Sequence, residues 1–310
     1  MARLDQRKAS IAVIIPCYNE QASIGSIVND FRRYVPESTI YVFDNDSTDE
    51  TVNEAKKAGA QIFQVRKKGK GNVVQAMFRD IEADYYVMTD GDGTYPAAST
   101  PNLLQVAIES KLDMVVGNRL PRYEQSDSRK GHFWGNRFLT AAVNYLFESD
   151  IQDLLSGYRV MSRRFVKSVP LYSEGFEVET ALSIHAIDVG AKVQEVPIDY
   201  VSRQAGSASK LHTVRDGLKI VCEMLRLYKD QKPKIFYGLV SILFFIAGLM
   251  AGLPVIAEYT VTGLVPRFPS AILASGLFIL GFSSGFAGVI LSSISKSRRD
   301  IKKLAFLAIK

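Results

Sequence analysis

The chain is poor in the residues that most often build metal cages and covalent catalysts. Two cysteines and three histidines occur among 310 residues. Cys17 and Cys222 lie far apart and fit no metal or disulfide spacing, as expected in a reducing compartment. His132, His185 and His212 form no metal-like spacing either, and His185 reads as an ordinary helix residue. The sequence has no Gly-x-Ser-x-Gly elbow, Walker loop or Gly-x-Gly-x-x-Gly fingerprint, which argues against hydrolases, P-loop ATPases and dinucleotide oxidoreductases. Charge itself is missing from two long apolar stretches, residues 235–257 and 268–295.

Each stretch exceeds the ~20 residues that a helix needs to cross ~30 Å of hydrocarbon. The alternative, two buried core helices, fits poorly with such long uncharged runs. Lys232 and Lys234 precede the first, and Lys296, Arg298, Arg299, Lys302 and Lys303 follow the second, whereas the connection carries only Glu258 and Arg267. By the positive-inside rule this predicts a multi-pass hairpin in the inner or plasma membrane, with both termini and the large N-terminal part in the cytoplasm. Residues 1–8 are charged and lead straight into a strand-like run, so no signal peptide is expected. Much of the net charge of +6 sits in the basic tail, where anionic headgroups would lie, so membrane lipids account for it and nucleic acid does not. Gly248 to Gly252 and Gly281 to Gly285 place a small-xxx-small motif in each span, suited to packing the hairpin or to joining subunits as a homo-oligomer.

Ahead of the spans the pattern changes. Residues 11–16, 39–43, 60–65, 85–89 and 113–117 read as apolar strands, alternating with helical periodicity over 21–34, 72–81 and about 101–110. Ser47-Thr48-Asp49-Glu50 reads as a capping box that opens a further helix. Such alternation predicts an α/β domain with a mainly parallel, doubly wound sheet, whose ligands bind beyond the carboxyl ends of the strands. Residues 129–147 and 214–228 are helical in pattern. The latter is basic and amphipathic, suited to the membrane surface or to packing on the catalytic domain. The expected domains are therefore a catalytic domain over 1–212, a juxtamembrane helix over 213–234, two transmembrane helices within 235–295 and a basic cytoplasmic tail over 296–310.

The chemistry-bearing residues fall at the predicted strand ends. Asp90-Gly91-Asp92 follows an apolar strand, and two carboxylates separated by glycine can share a hard cation such as Mg²⁺ or Mn²⁺ and bridge it to a diphosphate. A simple turn is the plain alternative. Asp44-Asn45-Asp46 ends another strand, where an acidic group can accept hydrogen bonds from a ribose or base; capping of the next helix is the alternative. Lys70, in the basic turn 67–72 that opens a helix, suits a phosphate, or is a solvated loop residue. Arg203 and Lys210 bracket a small-residue segment that could close over phosphates, and Arg119 and Arg137 are further phosphate-binding candidates.

In combination, these residues resemble the family 2 glycosyltransferases, in the branch of dolichol-phosphate mannose synthase and bacterial polyprenyl-phosphate hexose transferases. The resemblance covers about residues 10–230. It rests on residues 14–20 (Ile-Ile-Pro-Cys-Tyr-Asn-Glu), Asp44 through Asp49, Thr89-Asp90-Gly91-Asp92 with Pro96, Gly117-Asn118-Arg119, residues 153–159 (Asp-Leu-Leu-Ser-Gly-Tyr-Arg), residues 175–179 and Ser209-Lys210-Leu211. It implies a GT-A fold that binds a UDP- or GDP-sugar. Pro16, Tyr18, Glu20 and Asp44 match positions around the nucleoside, with Asp46 beside them. Asp90 and Asp92 match the metal and diphosphate positions, and Arg119, Arg137, Arg203 and Lys210 match cations for donor or lipid phosphate. Where relatives often carry Gln, Thr94 stands here, so a third protein ligand to the metal is not expected. The Gln-x-x-Arg-Trp motif of processive synthases is absent, which points to transfer of one sugar. The implied reaction is inverting transfer from a nucleotide sugar to a polyprenyl phosphate, with Asp92, Arg137, Arg203 and Lys210 handling charge and Asp153 orienting the reactants. Two alternatives are transfer to a lipid hydroxyl with Glu177 or Glu179 as base, and a non-catalytic membrane scaffold that binds nucleotide sugar.

Overall fold

The structure is a computed structural model that describes residues 9–119, 130–170, 178–199, 226 and 228–309. It forms two units, Met1–Asp216 with Lys302–Lys310, and Gly217–Ile301.

In the first unit, strands β1 (Ile11–Cys17), β2 (Thr39–Asp44), β3 (Gln61–Gln64) and β4 (Tyr85–Met88) alternate with helices α1 (Ile24–Tyr34), α2 (Thr51–Lys57) and α3 (Lys70–Asp80). Then come α4 (Thr100–Glu109), β5 (Met114–Asn118), α5 (Lys130–Phe147), β6 (Arg159–Ser162), α6 (Arg163–Ser168), α7 (Val178–Val189) and β7 (Val193–Pro197). The seven strands form one sheet in the order β3-β2-β1-β4-β6-β5-β7. Period-two alternation divides the strand residues between two cores. Val13, Ile15, Val87 and Val115 face α1 and α4, whereas Ile14, Tyr86, Met88 and Met114 face α3 and α7. This is the sandwich expected of strands buried on both faces.

The sheet is mixed rather than wholly parallel. Strand β6 runs antiparallel to both neighbours, β4 and β5, while the other pairs are parallel. The reversal has a consequence for the site. The segment that enters β6 arrives at the same edge where β1, β2, β4 and β5 end. Met88 and Val116 both pair with Arg159, so Asp153 to Tyr158 lie beside the residues that follow β4 and β5.

One local expectation is corrected. Ser47 does not cap α2, which begins at Thr51 with Glu50 in the capping position and no side-chain cap. The Ser47 hydroxyl instead accepts the Asn19 amide hydrogen at 2.9 Å, and Asp49 accepts from the Thr51 amide at 3.0 Å. The Ser47 hydroxyl thus ties the β2–α2 loop to the β1–α1 loop, and the chain turns helical three residues later than the pattern suggests.

The second unit holds α8 (Pro233–Thr262) and the start of α9 (Phe268–Ala308), both long and apolar enough to cross a bilayer. Their large side chains mostly point outward, as with Leu243, Met250 and Phe286, each about two-thirds exposed. Small residues line the seam between them. Gly248 faces Leu277 and Phe278, Gly252 faces Ala274, Gly281 faces Phe245, and the Ser241 hydroxyl donates to the Gly281 carbonyl at 2.7 Å. The glycine motifs thus pack the hairpin itself. The amphipathic segment expected over 213–234 falls largely outside the described residues.

The last residues of α9 belong to the catalytic unit. Phe306 is buried in the core that faces α3 and α7, with the Arg164 guanidinium 4.4 Å from its ring centroid. Lys302 pairs with Asp188 of α7 at 2.8 Å. Deleting a buried phenylalanine costs about 3–5 kcal/mol. Phe306→Ala should therefore lower the unfolding midpoint of the catalytic domain in the detergent-solubilised chain, while Leu304→Ala, at an exposed position, should not.

Close by, His185 lies buried with Nε2 2.9 Å from the Ser168 hydroxyl and with Nδ1 lacking a hydrogen-bond partner. Burial, aided by the Lys302 charge, pushes its pKa down to about 4. The unfolded chain, with a histidine pKa near ~6.5, binds the proton first as pH falls. Its neutral state thus contributes stability above pH ~6.5 that is lost as pH drops toward ~4, by up to about 3 kcal/mol. Denaturant titrations across that window should show the slope, and His185→Leu should flatten it.

Candidate active site

Four strand ends and the approach to β6 converge on a cluster of charged side chains. Cys17 and Asp44 close β1 and β2, which are in register there. Asp44 is buried; its Oδ2 accepts the Ser47 amide at 3.2 Å, and its Oδ1 has no hydrogen-bond partner. A buried acceptor left unpaired costs free energy until a donor reaches it. Nearby Tyr18 is exposed, with the Lys68 ammonium 5.5 Å from its ring centroid, and the Glu20 amide donates to Thr51 at 2.8 Å. Pro16 sits at the end of β1 beside Phe43. Asp46 is exposed and holds a positive φ of 65°, which turns the chain away from β2.

Asn45, between the two aspartates, is a structural pin that the sequence reading passed over. Its side-chain amide donates to the carbonyls of Val65 (2.8 Å) and Lys67 (2.9 Å), and its oxygen accepts the Gly69 amide at 2.8 Å. The basic turn ahead of α3 is therefore fixed against the end of β2, not a free solvated loop.

That turn delivers Lys70 to the acidic residues after β4. The Lys70 ammonium pairs with Asp90 Oδ1 at 2.6 Å and with Glu179 Oε1 at the start of α7. Burial raises the Asp90 carboxyl above the usual range, against the pull of Lys70, and the charges of Glu179 and Asp92 add to the rise. Burial acts upward on Glu179 as well, but the Lys70 charge and hydrogen bond outweigh it and hold Glu179 below the usual range. Lys70 itself is raised: burial opposes its charge, and the two carboxylates prevail. Glu179 and Lys70 are therefore charged at neutral pH.

Asp92 is buried, and its Oδ1 accepts both the Thr94 amide (3.1 Å) and the Thr94 hydroxyl (2.7 Å). Thr94 thus orients the second aspartate from the place where the family resemblance leads one to expect a glutamine. Gly91 and Gly157 are close-approach positions. A Cβ on Gly91 would lie 2.7 Å from Cys17 Sγ, and one on Gly157 would lie 2.7 Å from Asp90 Oδ2. Among the described residues no three His, Cys, Asp or Glu side chains are grouped to enclose a metal ion.

A second ion pair flanks the first. Arg119, just past β5, grips Asp153 through two parallel bonds of 2.8 Å, and its amide adds a third at 3.0 Å. Asp153 is fully buried, so this fork is shielded from water. Arg119 also donates to the Tyr95 hydroxyl at 3.2 Å, which accepts the Gly157 amide at 2.9 Å. Burial raises the Tyr95 hydroxyl well above its ordinary pKa despite Arg119, so it stays protonated. Behind them the wholly buried Arg159 donates to the carbonyls of Ser156 (2.9 Å) and Leu154 (3.0 Å) and to the Ser183 hydroxyl (3.0 Å). It braces the loop that carries Asp153 and Gly157.

The structure thus groups Asp90, Asp92, Lys70, Arg119 and Asp153 with Asp44, Pro16, Tyr18 and Glu20 along one edge of the sheet. Arg137 lies exposed on α5. Arg203, Lys210 and Glu177 fall outside the described residues. The contacts of Tyr95, Asn45 and Arg159 arise only in the folded register, and no local spacing announces them.

This layout of a mixed α/β sheet with paired aspartates beyond β4 is that of the GT-A fold. Glucosyl-3-phosphoglycerate synthase from Mycobacterium tuberculosis, solved with Mn²⁺, UDP-glucose and phosphoglyceric acid, shares it with a TM-score of 0.58 at 20% identity, over 72% of this chain and 79% of that one. Residues 12–169 match the family described as "Glycosyl transferase family 2", and the chain belongs to that family. It is a glycosyltransferase. Glycosyltransferase AglJ of Haloferax volcanii is 30% identical over 95% of this chain and 96% of its own length. A dolichyl-phosphate hexose transferase of the same organism is 26% identical over 73% of this chain and 96% of its own.

Gly157→Ala should test the close approach of the β6 loop to Asp90. A displacement of roughly 1 Å at a reacting centre costs about 100-fold in rate. Transfer activity should fall on that order while the unfolding midpoint stays near that of the wild type. Unchanged activity would show that the Asp90 position is not critical.

Proposed function

We propose that the chain transfers one sugar from a UDP- or GDP-sugar to a membrane polyprenyl phosphate, with inversion at the anomeric carbon. The observation that carries this reading is the acidic pair Asp90 and Asp92 at the strand ends, in a family 2 chain that also bears two helices long enough to span a bilayer. The name of the dolichyl-phosphate relative points to the same acceptor class. On this reading the hairpin sits in the inner or plasma membrane with both termini and the catalytic domain in the cytoplasm.

Asp44 receives the nucleoside, because its unpaired buried oxygen is an acceptor that awaits a donor. Asp90 and Asp92 hold Mg²⁺ or Mn²⁺. The residues fit such an ion: Asp90 already draws a cationic group, and Thr94 orients Asp92 without adding charge. Two carboxylates suffice for a hard cation that keeps substrate phosphate and water in its shell. Bound there, the metal supplies charge neutralisation for the departing diphosphate.

Lys70, Arg137, Arg203 and Lys210 surround the phosphates of donor and acceptor with positive charge. Asp153 acts through Arg119, which it fixes by the bidentate pair, and is thus a positioning residue rather than a base. No strong base is required. A phosphate monoester with a second pKa near ~6 already carries a nucleophilic oxygen at cytosolic pH. A specific observation weighs against the lipid-hydroxyl alternative: Glu179, its base candidate, is tied to Lys70 and held below the usual carboxylate range.

The test is a transfer assay in detergent with labelled UDP-glucose, UDP-N-acetylglucosamine, UDP-glucuronate or GDP-mannose, offered undecaprenyl phosphate or diacylglycerol. One donor should label undecaprenyl phosphate and none diacylglycerol; the reverse result would sink the acceptor assignment. Asp92→Asn should lower the rate by about 100-fold or more, the scale of losing one preorganised electrostatic contact.

A further inference from the structure

Lys70 stands at the first position of α3, and two carboxylates from distant parts of the chain hold its ammonium, Asp90 at 2.6 Å and Glu179 from α7. The Glu179 side chain is 8% exposed and has little water to compensate its charge if the lysine leaves. A lysine that served only to meet an incoming phosphate would be left extended in solvent. This one is docked onto a carboxylate of the acidic pair, and Asn45 fixes the turn that carries it.

We propose that Lys70 is a built-in counter-ion that competes with the divalent cation for Asp90 until the donor arrives, and that Glu179 shares the ammonium and so tempers that competition. This inference rests on the reading that Asp90 and Asp92 bind the metal. A dication at Asp90 has to displace the ammonium or share its carboxylate, and like charges at that range repel. The donor's diphosphate brings fresh negative charge, giving the ammonium a second partner and relieving the conflict. Metal and nucleotide therefore favour each other's binding, and the coupling is reciprocal. The donor-free protein is left with little affinity for metal, and the donor-loaded protein with much more.

The experiment is Mn²⁺ titration of the purified full-length chain in detergent, with free Mn²⁺ read by its electron paramagnetic resonance signal, alone and with UDP or GDP. Without nucleotide, Lys70→Met should bind Mn²⁺ about tenfold more tightly than the wild type, within the usual range of coupling between sites. Lys70→Arg, which keeps the charge, should behave as the wild type. Glu179→Gln should bind Mn²⁺ more weakly, because the ammonium then falls wholly on Asp90. The gain in Mn²⁺ affinity that nucleotide produces should shrink in Lys70→Met. If Lys70→Met does not fold, Lys70→Met/Glu179→Gln removes the ammonium with the carboxylate it would strand, and should bind Mn²⁺ more tightly than Glu179→Gln alone. Wild-type binding with no tightening in Lys70→Met, or in the double variant relative to Glu179→Gln, overturns this inference alone. Absence of Mn²⁺ binding by the wild type with and without either nucleotide overturns the metal reading and this inference with it.

Discussion

Negative charge packed at the ends of a few strands is the constraint around which this molecule is arranged. Asp44, Asp90, Asp92, Asp153 and Glu179 all lie within or against the sheet edge, and four of the five are buried. Withdrawing an ionised carboxylate from water costs several kcal/mol unless a cation and hydrogen bonds replace the solvent. The structure answers with a separate device for each. Lys70 lies between Asp90 and Glu179, Arg119 forks onto Asp153, and Thr94 and Ser47 satisfy oxygens of Asp92 and Asp44. These local solutions leave the site acidic enough for a cation yet compatible with a folded chain.

The topology explains how so many devices reach one edge. A wholly parallel sheet would bring only loops that follow strands to this edge. Because β6 is reversed between β4 and β5, the segment that precedes it arrives there as well, with Asp153, Gly157 and Tyr158 in sequence. Register fixes the approach within one residue, since a shift would turn Arg159 out of the core and remove its bonds to the Leu154 and Ser156 carbonyls. A buried guanidinium thus serves as a brace, and burial lowers its pKa against the nearby charges of Glu179 and Asp153. Its hydrogen bonds go to neutral groups, the Ser156 and Leu154 carbonyls, the Ser183 hydroxyl and the Met114 sulfur, which holds the loop without cancelling the charge of Asp153.

Much of this was legible in the residue pattern. Apolar runs buried on both faces announced the strands, and the acidic and basic groups stood at their ends, so the edge of the site could be named before any coordinate. Neither β6 nor its direction was legible, because a four-residue strand leaves little pattern and looks the same in either sense. Nor were the partners of Asn45 and Tyr95, since hydrogen bonds across twenty to sixty residues leave no local spacing to read. The capping expectation for Ser47 failed for a related reason. Its hydroxyl had a nearer donor on the neighbouring loop, and local propensity yielded to the tertiary contact. Lys70 was recognised as a phosphate candidate, but its hold on two carboxylates depends on α7, which is more than a hundred residues further along.

The same charge arrangement bears on the scarcity of histidine among the described residues of the site. Proton abstraction from a sugar or lipid hydroxyl calls for a group poised near neutrality and free to accept. Among the described carboxylates here, Glu179 is locked to an ammonium and Asp153 to a guanidinium, so each is tied to a neighbouring cation rather than poised to abstract a proton. The one buried histidine of α7 faces Ser168 in the other core. An acceptor that arrives already anionic removes the need for a base and replaces it with another problem, holding two phosphate groups together against their repulsion. On the proposed reading, cations and a hard metal would solve that problem. Among the described residues the site is rich in paired charges and poor in free titratable bases, which is what transfer onto a lipid phosphate would select.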